Sequence, residues 1–217
     1  MKIDVDTVNV LKNFAKINPS IVIQEGNILK TISPTKTIMA MAKVKTDFDQ
    51  RFAIYNLDRF ISIVSTFTDP DFKFGDKSVD ICDNSRKTHY VYADENTVTK
   101  VPDRVINLPS IDVTFKLTNE NIKDVEKASG ILALPEIVVM GDGKNLFLQA
   151  ADSKNPSGDV YSIQIGETDK AFKAIFKAEN IKIIPGDYDV SISSEGISHF
   201  VRDDVEYYIA VEQTSTF

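Results

Sequence analysis

The chain has 217 residues, 42% of them apolar and 26% charged, with 25 Lys and Arg against 32 Asp and Glu. That balance excludes a disordered segment, and no apolar run approaches the roughly 20 residues that a bilayer helix needs. One cysteine, Cys82, excludes an internal disulfide, and two histidines, His89 and His199, leave little material for a zinc centre or a histidine-based triad.

The N-terminus, Met1-Lys2-Ile3-Asp4, puts an acid where a signal peptide carries its apolar segment, which predicts a cytoplasmic chain. Alternating and helical apolar patterns then predict, in order, a short strand at 2–4, a helix at 7–17, strands at 20–24, 27–32, 37–44 and 48–55, a helix at 57–67, and strands at 72–74, 78–82 and 88–92. The same order returns after residue 110. A strand at 111–117 leads to a helix at 119–129, stopped by Gly130, and to strands at 136–140, 145–150, 160–165 and 172–176. A short helix at 178–183, stopped by Pro185-Gly186, precedes strands at 188–193, 197–201 and 206–211. The fold class is α+β: two similar domains, 1–93 and 111–217, each made of two β-α-β-β-β units. Residues 94–110, with Pro102 and Pro109 and no periodicity, suit an interdomain connector.

The net charge of −7 argues against a protein that coats nucleic acid with its whole surface. The sum conceals a split: residues 1–93 carry 13 basic and 11 acidic side chains, and residues 94–217 carry 12 and 21. Acidic strands and turns keep a domain soluble, which is one reading. The other is head-to-tail association, in which unlike surfaces on one chain meet and close into a ring.

Helix faces place the cations. In the first helix Val10, Leu11, Phe14 and Ile17 share one side, while Asn9, Lys12, Asn13 and Lys16 share the other, with no acid between Asp6 and Glu25 to relieve the lysine pair. An anion suits that face. The second helix buries Leu57, Phe60, Ile61 and Val64 and presents Arg59. The third carries Lys123 and Lys127 at the same four-residue spacing, but Glu120, Asp124 and Glu126 share its surface, and a salt-bridged solvent face explains it as well as a phosphate track does. The fourth offers Lys177 and Lys182 on different sides.

No catalytic constellation, metal centre or cofactor motif emerges. Asp142-Gly143, Glu25-Gly26-Asn27 and Glu195-Gly196 read as tight hairpins. The Asp-x-Asp pairs Asp4/Asp6, Asp47/Asp49, Asp69/Asp71 and Asp187/Asp189 read as caps and turn closers. His89 and His199 lie in strands with no evident carboxylate beside them, and Cys82 reads as a small buried hydrophobe.

Several segments together carry a resemblance: Asp6-Thr7 through Leu11-Lys12-Asn13-Phe14-Ala15-Lys16-Ile17-Asn18; Ala53-Ile54-Tyr55-Asn56-Leu57 with Phe60; Ser129-Gly130; Ile184-Pro185-Gly186-Asp187-Tyr188; and Tyr208-Ile209-Ala210-Val211-Glu212 with Ser215-Thr216-Phe217. With these the chain resembles, over essentially its full length, the sliding clamps (DNA polymerase processivity factors) of T4-type bacteriophages. The resemblance implies the DNA clamp fold, with helices lining a ring and sheets outside, and no enzymatic activity or cofactor. It further implies a homotrimer around double-stranded DNA, contacted without regard to sequence, and acting in the cytoplasm of the infected host cell. The implied partners are the DNA polymerase, an ATP-driven clamp loader and transcription factors of late transcription. On the DNA-facing side it points to Lys12 and Lys16 first, then Arg59, then Lys123 and Lys127, and last Lys177 and Lys182. Two other classes stay open at this point: a structural β-rich virion component, and a hydrolase built on one of the Asp-x-Asp pairs.

Overall fold

The computed structural model describes residues 1–102 and 106–217, so part of the predicted 94–110 connector lies outside the described residues. By contact density the chain divides into two compact units, Met1–Asp103 and Arg104–Phe217.

In the first unit the elements run α1 (Val5–Ile17), β1 (Ile21–Ile23), β2 (Gly26–Ile32), β3 (Ile38–Phe48), β4 (Phe52–Ile54), α2 (Leu57–Val64), β5 (Asp71–Phe74), β6 (Ser78–Cys82) and β7 (Lys87–Val91). Antiparallel pairs join β2 to β3 and β1 to β4, and β5-β6-β7 form a three-stranded sheet. The second unit runs β8 (Val113–Leu117), α3 (Asn119–Leu132), β9 (Glu136–Asp142), β10 (Asn145–Ala151), β11 (Tyr161–Glu167), β12 (Ala171–Lys177), β13 (Tyr188–Ser193), β14 (Ile197–Arg202) and β15 (Val205–Ala210). Its strands lie in the orders β11-β10-β9-β12 and β15-β14-β13-β8, with every neighbour antiparallel.

Helix α1 starts where the Asp4 carboxylate accepts the Asp6 and Thr7 amides at 3.0 and 3.1 Å. It buries Val10, Leu11, Phe14, Ala15 and Ile17 against β3, α2 and β2. Phe14, fully buried, contributes on the order of 2 kcal/mol by burial alone. The helix ends at Asn18, whose amide donates to Ile32 O at 2.7 Å and whose Oδ1 accepts the Ser20 N–H at 2.9 Å.

Five sequence expectations are corrected. The strand at 2–4 does not form, because Asp4 turns the chain into α1; Met1 alone joins β5, its amino group donating to Phe72 O and its carbonyl accepting the Phe72 N–H. Helix α2 stops at Val64 because the Ser65 and Thr66 hydroxyls take the Ser62 and Ile63 carbonyls. Gly130 does not stop α3, which runs on to Leu132. There Ala133 takes the left-handed cap (φ 52, ψ 41), its N–H on Ser129 O, and the Ser129 hydroxyl donates to Leu134 O at 2.7 Å. At Gly26 (φ 99) the chain does turn, yet no hairpin results, since β1 pairs with β4 and β2 with β3; the hairpins at Gly143 and Gly196 do form.

The fifth correction is the largest. Instead of a helix at 178–183 there is a single 3₁₀ turn, Ala178–Asn180. Ile181 leaves helical geometry (φ −82, ψ 71), and Pro185 disfavours helix at Ile184. Two buried tyrosines then hold the extended segment: the Ile184 N–H donates to Tyr207 Oη at 3.1 Å, and Tyr188 Oη donates to Ile184 O at 2.6 Å. Burial pushes the Tyr188 phenol up to about 12 and Tyr207 higher still, so both remain protonated at any ordinary pH. The fourfold β-α-β-β-β unit is therefore legible but incomplete: its first copy lacks the opening strand and its fourth lacks the helix.

Candidate nucleic-acid interface

The charged face of α1 comes from its periodicity. With Val10, Leu11 and Phe14 turned inward, Asn9, Lys12 and Lys16 are exposed. Asn13, expected beside them, is instead buried with a polar partner. The one acid of the helix, Asp6, is bound by Lys45 of β3 at 2.5 Å. Among the described residues neither Lys12 nor Lys16 has an ion-pair partner, so α1 presents two uncompensated charges a single turn apart.

Helix α2 packs beside α1 and is capped by Asn56, whose Oδ1 accepts the Arg59 N–H at 2.8 Å. The Arg59 side chain is exposed. Burial raises the pKa of the Tyr90 phenol, and the nearby Arg59 charge holds that rise back. Phe60 anchors the helix edge-on to Tyr90 at 5.1 Å.

Helix α3 is capped by Thr118, with Asp187 accepting the Asn119 N–H at 2.8 Å, and it buries Ile122, Val125 and Ser129. Lys123 and Lys127 are exposed together with Glu120, Asp124 and Glu126. Of the two readings of this face, the salt-bridged one does not hold for the lysines: among the described residues neither makes an ion pair. Lys177 and Lys182 sit on no helix. Lys177 closes β12 and is exposed, while Lys182 follows the 3₁₀ turn, half-buried and engaged. The cations on helices are thus Lys12, Lys16 and Arg59 in the first unit and Lys123 and Lys127 in the second.

Other polar groups fall into structural roles. Asp4 and Asp187 cap helices, while Asp69 pairs with Lys2 and Asp189 with Lys116. Both histidines do have carboxylate partners across their strands, His89 with Asp80 and His199 with Glu206, each at 2.7 Å. Cys82 is half-buried at the end of β6, not enclosed.

A groove that the helical patterns do not reveal lies in the first unit. Val22, Ile28 and Met41 are among its lining, Lys30 and Lys100 bring positive charge to it beside Glu25 and an Arg51 that is paired with Glu95 at 2.7 Å, and its volume is about 530 Å³. Its signal is cross-strand: Lys30 stands opposite Met41 and Ile28 opposite Lys43, on the face turned away from the buried Leu29 and Ala42. Single-strand alternation predicts an outward Lys30 but gives no reason for an outward Ile28 and Met41.

Comparison with known proteins gives these features a context. Residues 114–213 match the family described as gp45 sliding clamp, C terminal. The sliding clamp of Vibrio phage KVP40 is 35% identical over 220 residues, covering 98% of this chain and 99% of that protein. The sliding clamp of Enterobacteria phage T4 is 28% identical over 228 residues, covering 100% and 99%. Among solved structures, A. fulgidus PCNA with the C-terminal region of FEN-1 bound superposes with a TM-score of 0.71 at 13% identity, covering 94% of each chain. The Helicobacter pylori beta clamp gives 0.66 at 16% identity, over 97% of this chain and 65% of that one. These structures share the fold: an α+β DNA clamp. The 35% identity with the KVP40 clamp over nearly the whole of both chains removes the virion-component and hydrolase readings, and the chain belongs to the sliding-clamp family of T4-type bacteriophages, the non-enzymatic processivity factors of phage DNA replication.

Proposed function

We propose that three copies of the chain close into a ring around duplex DNA, with α1, α2 and α3 toward the phosphates and the sheets outside, and that the ring tethers the replicative polymerase. The observation that carries this reading is the bare lysine pair on α1, Lys12 and Lys16, whose only helical acid is diverted to Lys45. Contacts of this kind attract phosphate without reading bases, so the ring slides while topology keeps it on the duplex. Two strand edges, one of β7 in the first unit and one of β11 in the second, have no neighbour within their sheets among the described residues and can meet head to tail. A closed ring requires an ATP-driven loader to open it, in the cytoplasm of the infected cell, and the same ring serves late-transcription factors as a moving platform. The groove of the first unit, lined by Val22, Ile28 and Met41 together with Lys30 and Lys100, suits an apolar peptide segment with an acidic neighbour from the polymerase.

The test is mass and synthesis together. A species near three times 24.2 kDa is expected in solution. Lys12→Ala with Lys16→Ala should leave that mass unchanged, lower clamp-dependent synthesis, and reduce the slope of log affinity against log salt by about 1.8 for each subunit whose lysine pair touches phosphate, up to about 5.4 for the ring, at roughly 0.9 per lost contact. Synthesis and slope both unchanged would remove α1 from the DNA face.

A further inference from the structure

The sheet β11-β10-β9-β12 ends on one side at β12, and the chain covers that edge with its own residues 212–217. Lys173 and Thr216 exchange both backbone hydrogen bonds, at 2.8 and 2.9 Å, and the Glu212 N–H donates to Ile175 O at 2.8 Å. In the remaining rung a side chain replaces a carbonyl: the Ile175 N–H donates to Ser215 Oγ at 2.9 Å. Phe217 then lies parallel to Phe172, with an interplanar angle of 4° and centroids 6.2 Å apart. Phe172 is itself placed by glycine. Its cross-strand partner is Gly141, where a Cβ would collide with the Lys170 carbonyl oxygen and stand 2.7 Å from the ring, so glycine admits both the Lys170 carbonyl and the aromatic ring across β9.

This seating is shallow. Its only paired rung among the described residues is the Lys173–Thr216 bridge, supplemented by the single Glu212 and Ser215 bonds and one ring contact; Gln213, Thr214 and Thr216 are exposed, and Phe217 stays 45% exposed. An edge held so lightly is a template for another extended segment, with backbone bonds giving affinity and alternate side chains giving selectivity. Lys173 and Lys177 of β12 add positive charge beside it.

We infer that the β12 edge is a docking rail for an extended peptide of a partner protein, closed in the free chain by residues 212–217. The segment it takes carries a hydroxyl residue, to cap the Ile175 N–H, and an aromatic residue two positions later, to lie on Phe172. Acidic neighbours are favoured opposite Lys173 and Lys177. The rail lies wholly in the second unit and does not depend on the ring or on the DNA face.

The probe is an acetylated peptide of the chain's own sequence Glu-Gln-Thr-Ser-Thr-Phe, tested against the native chain and against a Thr216→Pro, Phe217→Ala variant. Proline removes the N–H that bonds Lys173 O, and alanine removes the stacked ring. If the native segment is seated nine-tenths of the time, the variant should bind the probe about tenfold more tightly, because the competing occupant is gone. In the variant without probe, the Lys173 and Ile175 amides should lose hydrogen-exchange protection, and the probe should restore it. The amides of Ala174 and Phe176, which face β9, should keep theirs in both chains. Should those also lose protection, the milder Ser215→Ala variant replaces it, with a gain of about threefold expected on the same logic. Equal probe affinity for native and variant chains would overturn the inference. So would a doubled mass without probe uptake, which would assign the edge to self-pairing.

Discussion

Lys45 of β3 reaches across to Asp6 on the first turn of α1, a contact between residues 39 apart in sequence. Both side chains are well exposed, so the pair contributes at most about 1 kcal/mol to stability. Its consequence is electrostatic: it neutralises the only carboxylate on the helix that carries Lys12 and Lys16. Lys45→Ala is therefore expected to leave the melting temperature nearly unchanged while weakening binding to a short duplex at low salt. Asp6→Asn in the same background should restore it. Fluorescence anisotropy at two salt concentrations checks both, and a Lys45→Ala chain that binds as tightly as the native one would separate Asp6 from the DNA face.

How far the sequence carries the fold can be judged from particular elements. Helices α1 and α3 are legible because a buried stripe repeats over two turns or more, and the strands because burial alternates along β15 and the second half of β3, while β9 is a short continuous apolar run bounded by turn residues. The failed helix at 178–183 shows the limit. Ile181, Ile183 and Ile184 imitate helical spacing, but the segment is too short to nucleate alone, and its backbone partners, Tyr188 and Tyr207, come from two separate strands. The lysine face of α1 is local and readable. The neutralisation of Asp6, the groove at Ile28 and Met41, and the covering of β12 are contacts between distant segments, which periodicity cannot register.

At the end of α3 two positions hold the wrong residue for stability. Gly130 lies within the helix, exposed, with nothing within 4 Å of a Cβ placed there, so Gly130→Ala should stabilise by about 0.5–1 kcal/mol. Ala133 holds the left-handed cap at φ 52, a conformation that disfavours an L side chain by roughly 1–2 kcal/mol, so Ala133→Gly should also stabilise once the extra freedom of glycine in the unfolded chain is subtracted. Urea midpoints of the single variants test each. A fall in midpoint on Ala133→Gly would mean that the alanine methyl makes a contact worth more than the strain.

The cap of α1 makes stability depend on pH. Burial alone would raise the Asp4 carboxyl, but hydrogen bonds from the Thr7 and Thr46 hydroxyls and the Thr7 and Asp6 amides outweigh it and bring the group down to about 2. Since the folded value lies below the unfolded one, the unfolded chain binds the proton first. The stabilisation is complete above about pH 4 and is lost as pH falls toward 2. Asp4→Asn keeps an acceptor for the amides and should flatten this part of the acid limb, whereas Asp4→Ala should lower stability by about 1 kcal/mol at neutral pH. Denaturation midpoints between pH 2 and 7 distinguish the two.

Gly186, in the Ile184-Pro185-Gly186-Asp187-Tyr188 segment, is required by a side chain from another strand. Arg202 of β14 lies against it, with Nη1 donating to Pro185 O at 2.8 Å and the guanidinium over the Tyr188 ring at 5.6 Å. A methyl at position 186 would occupy the space of that guanidinium. The arginine is flexible, so the backbone need not move, but the displaced group loses its carbonyl acceptor and the aromatic face. Gly186→Ala should accordingly destabilise by about 1–2 kcal/mol, the scale of one charge-assisted hydrogen bond with a partly exposed cation–π contact. If Arg202 is the reason, Arg202→Ala should lose about as much, and the double variant should lose little more than either alone. Additive losses in that double-mutant cycle would show that Gly186 answers to something other than Arg202.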